Sequence, residues 1–285
     1  MWYSISKVIK RNMIPQHGTI KKNEEYMKSL EKIIKILDYL SDVERDAGIT
    51  ELSLELDLPK STVHRILKNL SRYSVVEKEN DTSRYKIGLR LLKYSNSLLR
   101  SFDLRQIVKP ILKKVCDETQ ETTFLTVWRN DQGICIDSIS SSRSANTHLF
   151  VEIGREMPFH CTASSEVLLA NQPIEDIKRI ISNRNFLRYT PNTITDHEKL
   201  LIHLLDIKNK GFAVCDEELE EGIKAVAAPI KNIKGKTIAS ITITGLAKRM
   251  SSSNSERFVK ILTNSAQEIS KRLGYKEENI LKNAN

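Results

Sequence analysis

Between residues 50 and 87 the apolar residues of this chain change their spacing twice, and no other stretch limits the fold as tightly. Leu52, Leu54 and Leu56 precede Asp57-Leu58-Pro59, and Val63, Ile66, Leu67 and Leu70 follow at the spacing of a single helix face. Thr50 is suited to N-cap the first helix, and Pro59 to the first turn of the second, where its missing N–H costs nothing. The break between the helices then falls at Asp57-Leu58. The opposite face of the second helix carries Lys60, Ser61, Thr62, His64, Arg65 and Lys68, a mixture of phosphate-binding cations, short hydroxyls and base-edge donors. Residues 75–78 and 84–87 then flank a polar turn as two paired strands do. Two helices, a basic outer face and a wing place a helix in a DNA groove, with Arg84 and Lys86 adding contacts from the wing. A helical pair with a solvated basic face is the plainer reading of any one of these features. Their agreement over about forty residues favours nucleic acid over a winged helix used only for protein contacts.

The charge is placed to match. Residues 59–93 hold nine cations against three anions, six of the chain's net nine positive charges. The segment before them is acidic at Asp42, Glu44, Asp46, Glu51, Glu55 and Asp57. The field is therefore directional, as a polyanion partner requires, and not a general stickiness.

The residues also carry a resemblance. Ser29-Leu30-Glu31-Lys32, Gly48-Ile49-Thr50-Glu51-Leu52, the run from Leu58 to Leu67 and Arg84-Tyr85-Lys86-Ile87-Gly88 resemble the amino-terminal domain of the IclR family of bacterial transcription regulators. Pro158-Phe159-His160-Cys161-Thr162-Ala163-Ser164, the run from Gly211 to Glu218, the run from Gly222 to Pro229 and the strand ending at Gly245 resemble that family's effector-binding domain. The resemblance implies an operator in double-stranded DNA, a small-molecule effector that alters its binding, and self-association as a dimer or tetramer. It implies a GAF- or PAS-like fold for the second half.

The pattern of the remaining residues is compatible with that implication. Leu30, Ile33, Ile34, Ile36, Leu37 and Leu40 give the first helix a broad buried stripe, and Leu89, Leu91, Leu92, Leu98 and Leu99 an amphipathic linker helix. Leu104, Ile107, Val108, Ile111, Leu112 and Val115 make a long helical stripe despite Pro110, a site for a kink. Strands are expected near 122–128, 134–140, 147–153, 225–229 and 237–244, the first two joined by a turn at 130–133, with helices near 163–170, 174–182, 196–210 and 255–273. The fold class is α+β: an N-terminal winged helix-turn-helix domain, then a sensor domain with an antiparallel sheet. The divisions are a flexible extension over 1–27 with a short helix around 5–9 as the alternative, the DNA-binding domain over 28–88, a linker helix over 89–102, the effector-binding domain over 103–275 and a tail over 276–285.

The second domain reads as a binding domain. Thr162-Ala163-Ser164-Ser165 opens an apolar helical run, so backbone N–H groups there can meet an anion. Thr242 and Thr244 put two hydroxyls on one strand face. Together these suit a small carboxylate; a helix cap and two β-propensity fillers are the plainer alternative. The resemblance implies a pocket lined by Leu149, Met157, Ala163, Ser164, Cys215, Ile223, Ala225, Thr242 and Thr244. The sequence departs from the family pattern at Ser165-Glu166, where Gly-Lys is common, at Cys215, where an acid is common, and at Ala225, where a cysteine is frequent.

A rival reading uses thiols. Cys161 stands beside His160, and Cys215 beside Asp216-Glu217-Glu218, so a thiol-based redox sensor or a GAF-like enzyme is the alternative. An acidic neighbourhood raises a thiol pKa, which counts against both. The four cysteines, Cys116, Cys135, Cys161 and Cys215, have neither disulfide-framework nor zinc-finger spacing, and His197 and His203 do not share a helix face well enough to chelate. No catalytic residue, metal or other cofactor is expected. With no signal-peptide pattern and no run long enough to span a bilayer, a cytoplasmic protein without a membrane partner is expected.

Overall fold

The computed structural model describes residues 24–43, 45–79, 82–100, 103–141, 151–250 and 252–276. The N-terminal extension up to residue 23, the wing tip at Asn80-Asp81, residues 147–150 of the expected strand with Leu149, and the tail from 277 lie outside them. The chain divides between Leu98 and Leu99 into two compact units.

The first unit contains α1 (Glu24–Asp42), α2 (Ile49–Glu55), α3 (Lys60–Arg72), β1 (Val76–Lys78), β2 (Tyr85–Ile87) and α4 (Arg90–Arg100), the last of which runs across the division. α1 thus begins within the residues assigned to the extension. Ile36, Leu40, Leu52, Val63, Ile66, Leu67, Val76 and Tyr85 close one core. The α1 stripe is narrower than its sequence suggests: Ile33 and Leu37 flank Ile36 and Leu40, whereas Leu30 and Ile34 are exposed. A three-helix unit covers only about a third of a helix surface, and positions 30 and 34 fall on the adjoining face.

α2 is C-capped by Leu56; the next residue, Asp57, takes a left-handed conformation (φ 51°), and Ser53 Oγ donates to Leu58 O at 2.6 Å to pin the turn. Two terminal assignments change. Gly48, not Thr50, is the N-cap of α2, because the helix already begins at Ile49. Pro59 caps α3 from outside, its carbonyl accepting from the Thr62 and Val63 amides. The wing strands pair antiparallel, Val76 opposite Ile87 and Lys78 opposite Tyr85, and Tyr85 exchanges two further backbone bonds with Ala47. Gly88 lies against Ser74 so closely that a Cβ there would strike the Ser74 carbonyl.

The second unit is a six-stranded antiparallel sheet in the order β5-β4-β3-β8-β7-β6, formed by β3 (Thr122–Arg129), β4 (Gln132–Ile139), β5 (Glu156–Met157), β6 (Ala213–Asp216), β7 (Ile223–Lys231) and β8 (Thr237–Leu246). The turn between β3 and β4 is the pair Asn130-Asp131, both with positive φ, so it is two residues shorter than expected. The strand expected at 147–153 is replaced, within the described residues, by β5 a few residues later.

α5 (Asp103–Thr119), which runs through Pro110, and α9 (Ser252–Arg272) cover one face of the sheet, with Val108, Leu112, Phe258 and Leu262 against Leu125, Ile241 and Ile243. The other face carries α6 (Ala163–Ala170), α7 (Ile174–Ser182) and α8 (His197–Lys210), the last begun by Asp196, whose side chain accepts from the Lys199 amide. Strand alternation explains the division, since β8 sends Ile241 and Ile243 one way and Ser240, Thr242 and Thr244 the other. The residues facing α6 are small. All eight of its residues are therefore buried, Ser240 Oγ donates to Ser164 O at 2.9 Å, and Gly133 leaves room for Ser165 and no more. Among the described residues no helix is long and apolar enough to cross a membrane.

Candidate nucleic-acid interface and effector cavity

α3 is locked by Val63, Ile66 and Leu67, so the residues between them are turned out. Lys60, Ser61, His64, Arg65 and Lys68 are exposed and Thr62 is half-buried. Lys60, Arg65 and Lys68 have no ion-pair partner among the described residues, and no acid stands in the first turn of the helix. The face is consequently an uncompensated positive strip on a rigid support. Lys86 reaches Glu79 at 3.0 Å in an exposed pair.

Arg84 is placed differently from the expectation. Its Nε donates to Asp46 O and its terminal nitrogen to Glu51 Oε2, both at 2.6 Å, while Glu51 also accepts from Tyr39 and Arg45. Those partners hold the Glu51 carboxyl below its ordinary range against the opposing effect of its desolvation. A guanidinium engaged on two sides fastens the start of β2 to α2 and the loop before it.

In the second unit a cavity of about 50 Å³ opens between the start of α6, the loop after β6 and the strands beneath. Met157, Ala163, Ser164, Cys215, Ile223, Ala225 and Thr244 line it, together with Phe124, Val151, Cys161, Thr162, Leu219, Glu220 and Lys224. Thr242 does not. It sits two residues further along the same face, opposite Phe124 and Ala227, fully buried, and its hydroxyl has no hydrogen-bond partner. Thr244 lines the cavity but gives its hydroxyl to Lys224 O at 3.0 Å.

The polar character of the cavity comes from other groups. Thr162 occupies the N-cap position of α6 without capping it, since its hydroxyl donates to Pro158 O at 2.6 Å. The first-turn amides of Ala163 and Ser164 then have no acceptor within the helix. Ser164 Oγ is buried without a partner beside them, and Lys224, paired with Asp216 at 2.8 Å, brings a cation to the wall. Lys224 and Glu220 escaped the sequence reading; the quoted run around Gly222 was the available signal, because it returns the chain to the cavity. The space suits a few water-sized groups.

The thiols are poorly placed for chemistry. Cys161 and Cys215 are buried, and burial pushes both well above the ordinary thiol range; Cys215 Sγ donates to Cys161 O at 3.3 Å. His160 turns Nε2 to Leu187 O at 2.9 Å and stacks on Phe186, with burial lowering its pKa. One cluster runs against the expectation of no metal ligands: Glu166, His203 and Glu218, from α6, α8 and the loop after β6, converge. His203 needs no histidine partner at helical spacing when two glutamates reach it from other elements.

Comparison with known proteins agrees with both halves. The IclR helix-turn-helix domain matches residues 29–80 and the bacterial transcriptional regulator IclR C-terminal domain residues 96–271. The chain is 33% identical over 254 residues to the HTH-type transcriptional regulator KdgR of Dickeya chrysanthemi, covering 89% of this chain and 82% of that protein. Its fold resembles the IclR of Thermotoga maritima, with a TM-score of 0.72, 29% identity and coverage of 87% and 100%. It also resembles an IclR homologue of Microbacterium hydrocarbonoxydans complexed with 4-hydroxybenzoate, similar in fold at a TM-score of 0.70 and 23% identity, over 86% and 98% of the two chains. With a helix-turn-helix unit at its amino end and an effector-type sheet domain behind it, this chain belongs to the IclR family of bacterial transcription regulators.

Proposed function

We propose that the chain reads its operator through Lys60, Ser61, His64, Arg65 and Lys68 of α3, with Thr62 at the edge and Lys86 assisting from the wing, and that Arg84 fastens the module from within. The uncompensated positive strip on a core-locked helix carries this reading. The exposed pair of Lys86 with Glu79 is weak enough to yield to phosphate. The effector is a small organic acid, its carboxylate at the Ala163 and Ser164 amides and the Ser164 hydroxyl, with Lys224 adding positive charge; Thr242 is left out. The fold neighbour's bound hydroxybenzoate supports an acid as the ligand class.

The protein acts as a homo-oligomer in the cytoplasm, away from membranes and without catalysing a reaction. Exposed Tyr73, Leu89, Leu92 and Tyr94 around the start of α4 support self-association, and the buried, protonated thiols support binding over catalysis. Residues 28–88 form the reader, 89–102 a linker helix and 103–275 the sensor. The test is selection of sites from random duplex DNA by the full chain. Arg65→Ala should cost about 1–3 kcal/mol at the selected site and relax its sequence, whereas Lys68→Ala should weaken all sequences alike. An unchanged consensus and affinity in a His64→Ala, Arg65→Ala double variant would remove α3 from the reading role.

A further inference from the structure

Glu166 is fully buried, and neither of its carboxylate oxygens has a hydrogen-bond partner. Glu218 Oε2 and His203 Nε2 are likewise buried and unpartnered, and His203 Nε2 stands 3.6 Å from Glu166 Oε2. One donor atom from each residue lies within 4.8 Å of the other two. Desolvated carboxylates of like charge repel and lack the water that would stabilise them, so such a group needs a proton or a cation between its members.

We propose that Glu166, His203 and Glu218 bind one divalent transition-metal ion, with zinc the best match. Two carboxylates neutralise the charge of the ion, and one imidazole nitrogen with two oxygens is a donor set that suits zinc, manganese and iron and is too soft for magnesium or calcium. Donors at zinc distance stand roughly 3.2–3.5 Å apart, so the side chains need to draw in by about 1 Å. The frame behind them is firm. Ser165 Oγ donates to Met157 O at 2.7 Å, Thr193 Oγ1 to Glu218 O at 2.6 Å and Thr190 Oγ1 to Glu217 O at 2.7 Å, while Leu200 and Leu204 seat α8 beside His203. An ion there would tie α6 to the loop after β6, whose Leu219 and Glu220 line the effector cavity.

The test uses the full chain, freed of metal with a chelator and titrated with Zn2+ alone. One ion per chain is expected by elemental analysis, with a zinc-dependent rise in melting temperature. Glu166→Gln and His203→Gln should weaken zinc by at least about 100-fold, and His197→Gln, on the same helix but outside the cluster, should leave it unchanged. Glu166→Lys guards against loss of folding, since lysine there can pair with Glu218; it should melt cooperatively and take up no zinc. A folded wild-type chain that binds no zinc overturns the proposal, as does unchanged zinc affinity in Glu166→Lys or Glu166→Gln.

Discussion

Replacing Arg84 with alanine separates a clamp from a phosphate contact. The guanidinium makes two charge-assisted hydrogen bonds of 2.6 Å, to Asp46 O and Glu51 Oε2, with the Arg84 side chain about a third exposed and that of Glu51 a fifth. Each such bond contributes about 1.5–3 kcal/mol when dry. Partial exposure halves that, and Glu51 keeps Tyr39 and Arg45 as partners, so no orphaned charge adds to the loss. The sum is about 2 kcal/mol, borne by the contact of β2 with the loop before α2. Amide exchange at Ala47 and Tyr85, which exchange backbone bonds across that contact, should quicken by about 30-fold. Operator affinity should fall as the wing loosens while its dependence on salt stays the same, because no phosphate contact is lost. A salt slope reduced by about 0.9, with unchanged exchange at the two amides, would refute the clamp and restore Arg84 to the DNA.

Other outcomes follow from single groups. Arg249→Met strands Glu121, only 2% exposed and held by two hydrogen bonds from Arg249, and should cost about 3–5 kcal/mol in urea unfolding; a loss below about 1 kcal/mol would show that the pair is replaced by water. Thr242→Val removes a buried hydroxyl that has no partner and should stabilise the second unit by about 1 kcal/mol with effector response intact, whereas a lost response would bring Thr242 back into the pocket. Burial pushes the Cys135 thiol up to about 12 and those of Cys161 and Cys215 well above the ordinary range, so native-state alkylation of these three should be far slower than that of a free cysteine and should still be rising, without a plateau, at about pH 9. A fast rate that levels off below about pH 9 would mark a stabilised, accessible thiolate and revive the redox reading.

How much of this was legible in the sequence depended on the range of the interaction involved. The apolar period found α3 and α7 and an apolar run found α6, the latter two with their observed bounds, since such patterns are local. Charge alone put Arg84 on the DNA; the acid that holds it is 33 residues away and only folding brings it near. Period two placed Thr242 and Thr244 on one face but gives no depth, and depth decides which of them reaches the cavity. The Glu166, His203 and Glu218 cluster had no motif at all, because its members come from three elements whose spacing obeys no repeat. The same holds for Lys224, an ordinary surface residue until β7 pairs with β6 beside the start of α6.

The close seat of α6 on the sheet also restricts how the chain can change over generations. A side chain at Gly133 would occupy the position of the Ser165 hydroxyl, and that hydroxyl is bonded to Met157 O, so residues 133, 157 and 165 form one mechanical unit. A bulkier residue at 133 is tolerated only with a smaller one at 165, and the helix then loses its tie to β5. Change in the shape of the cavity is therefore easier in the loop at 217–222, part of which lines it, than in the helix that forms the opposite wall.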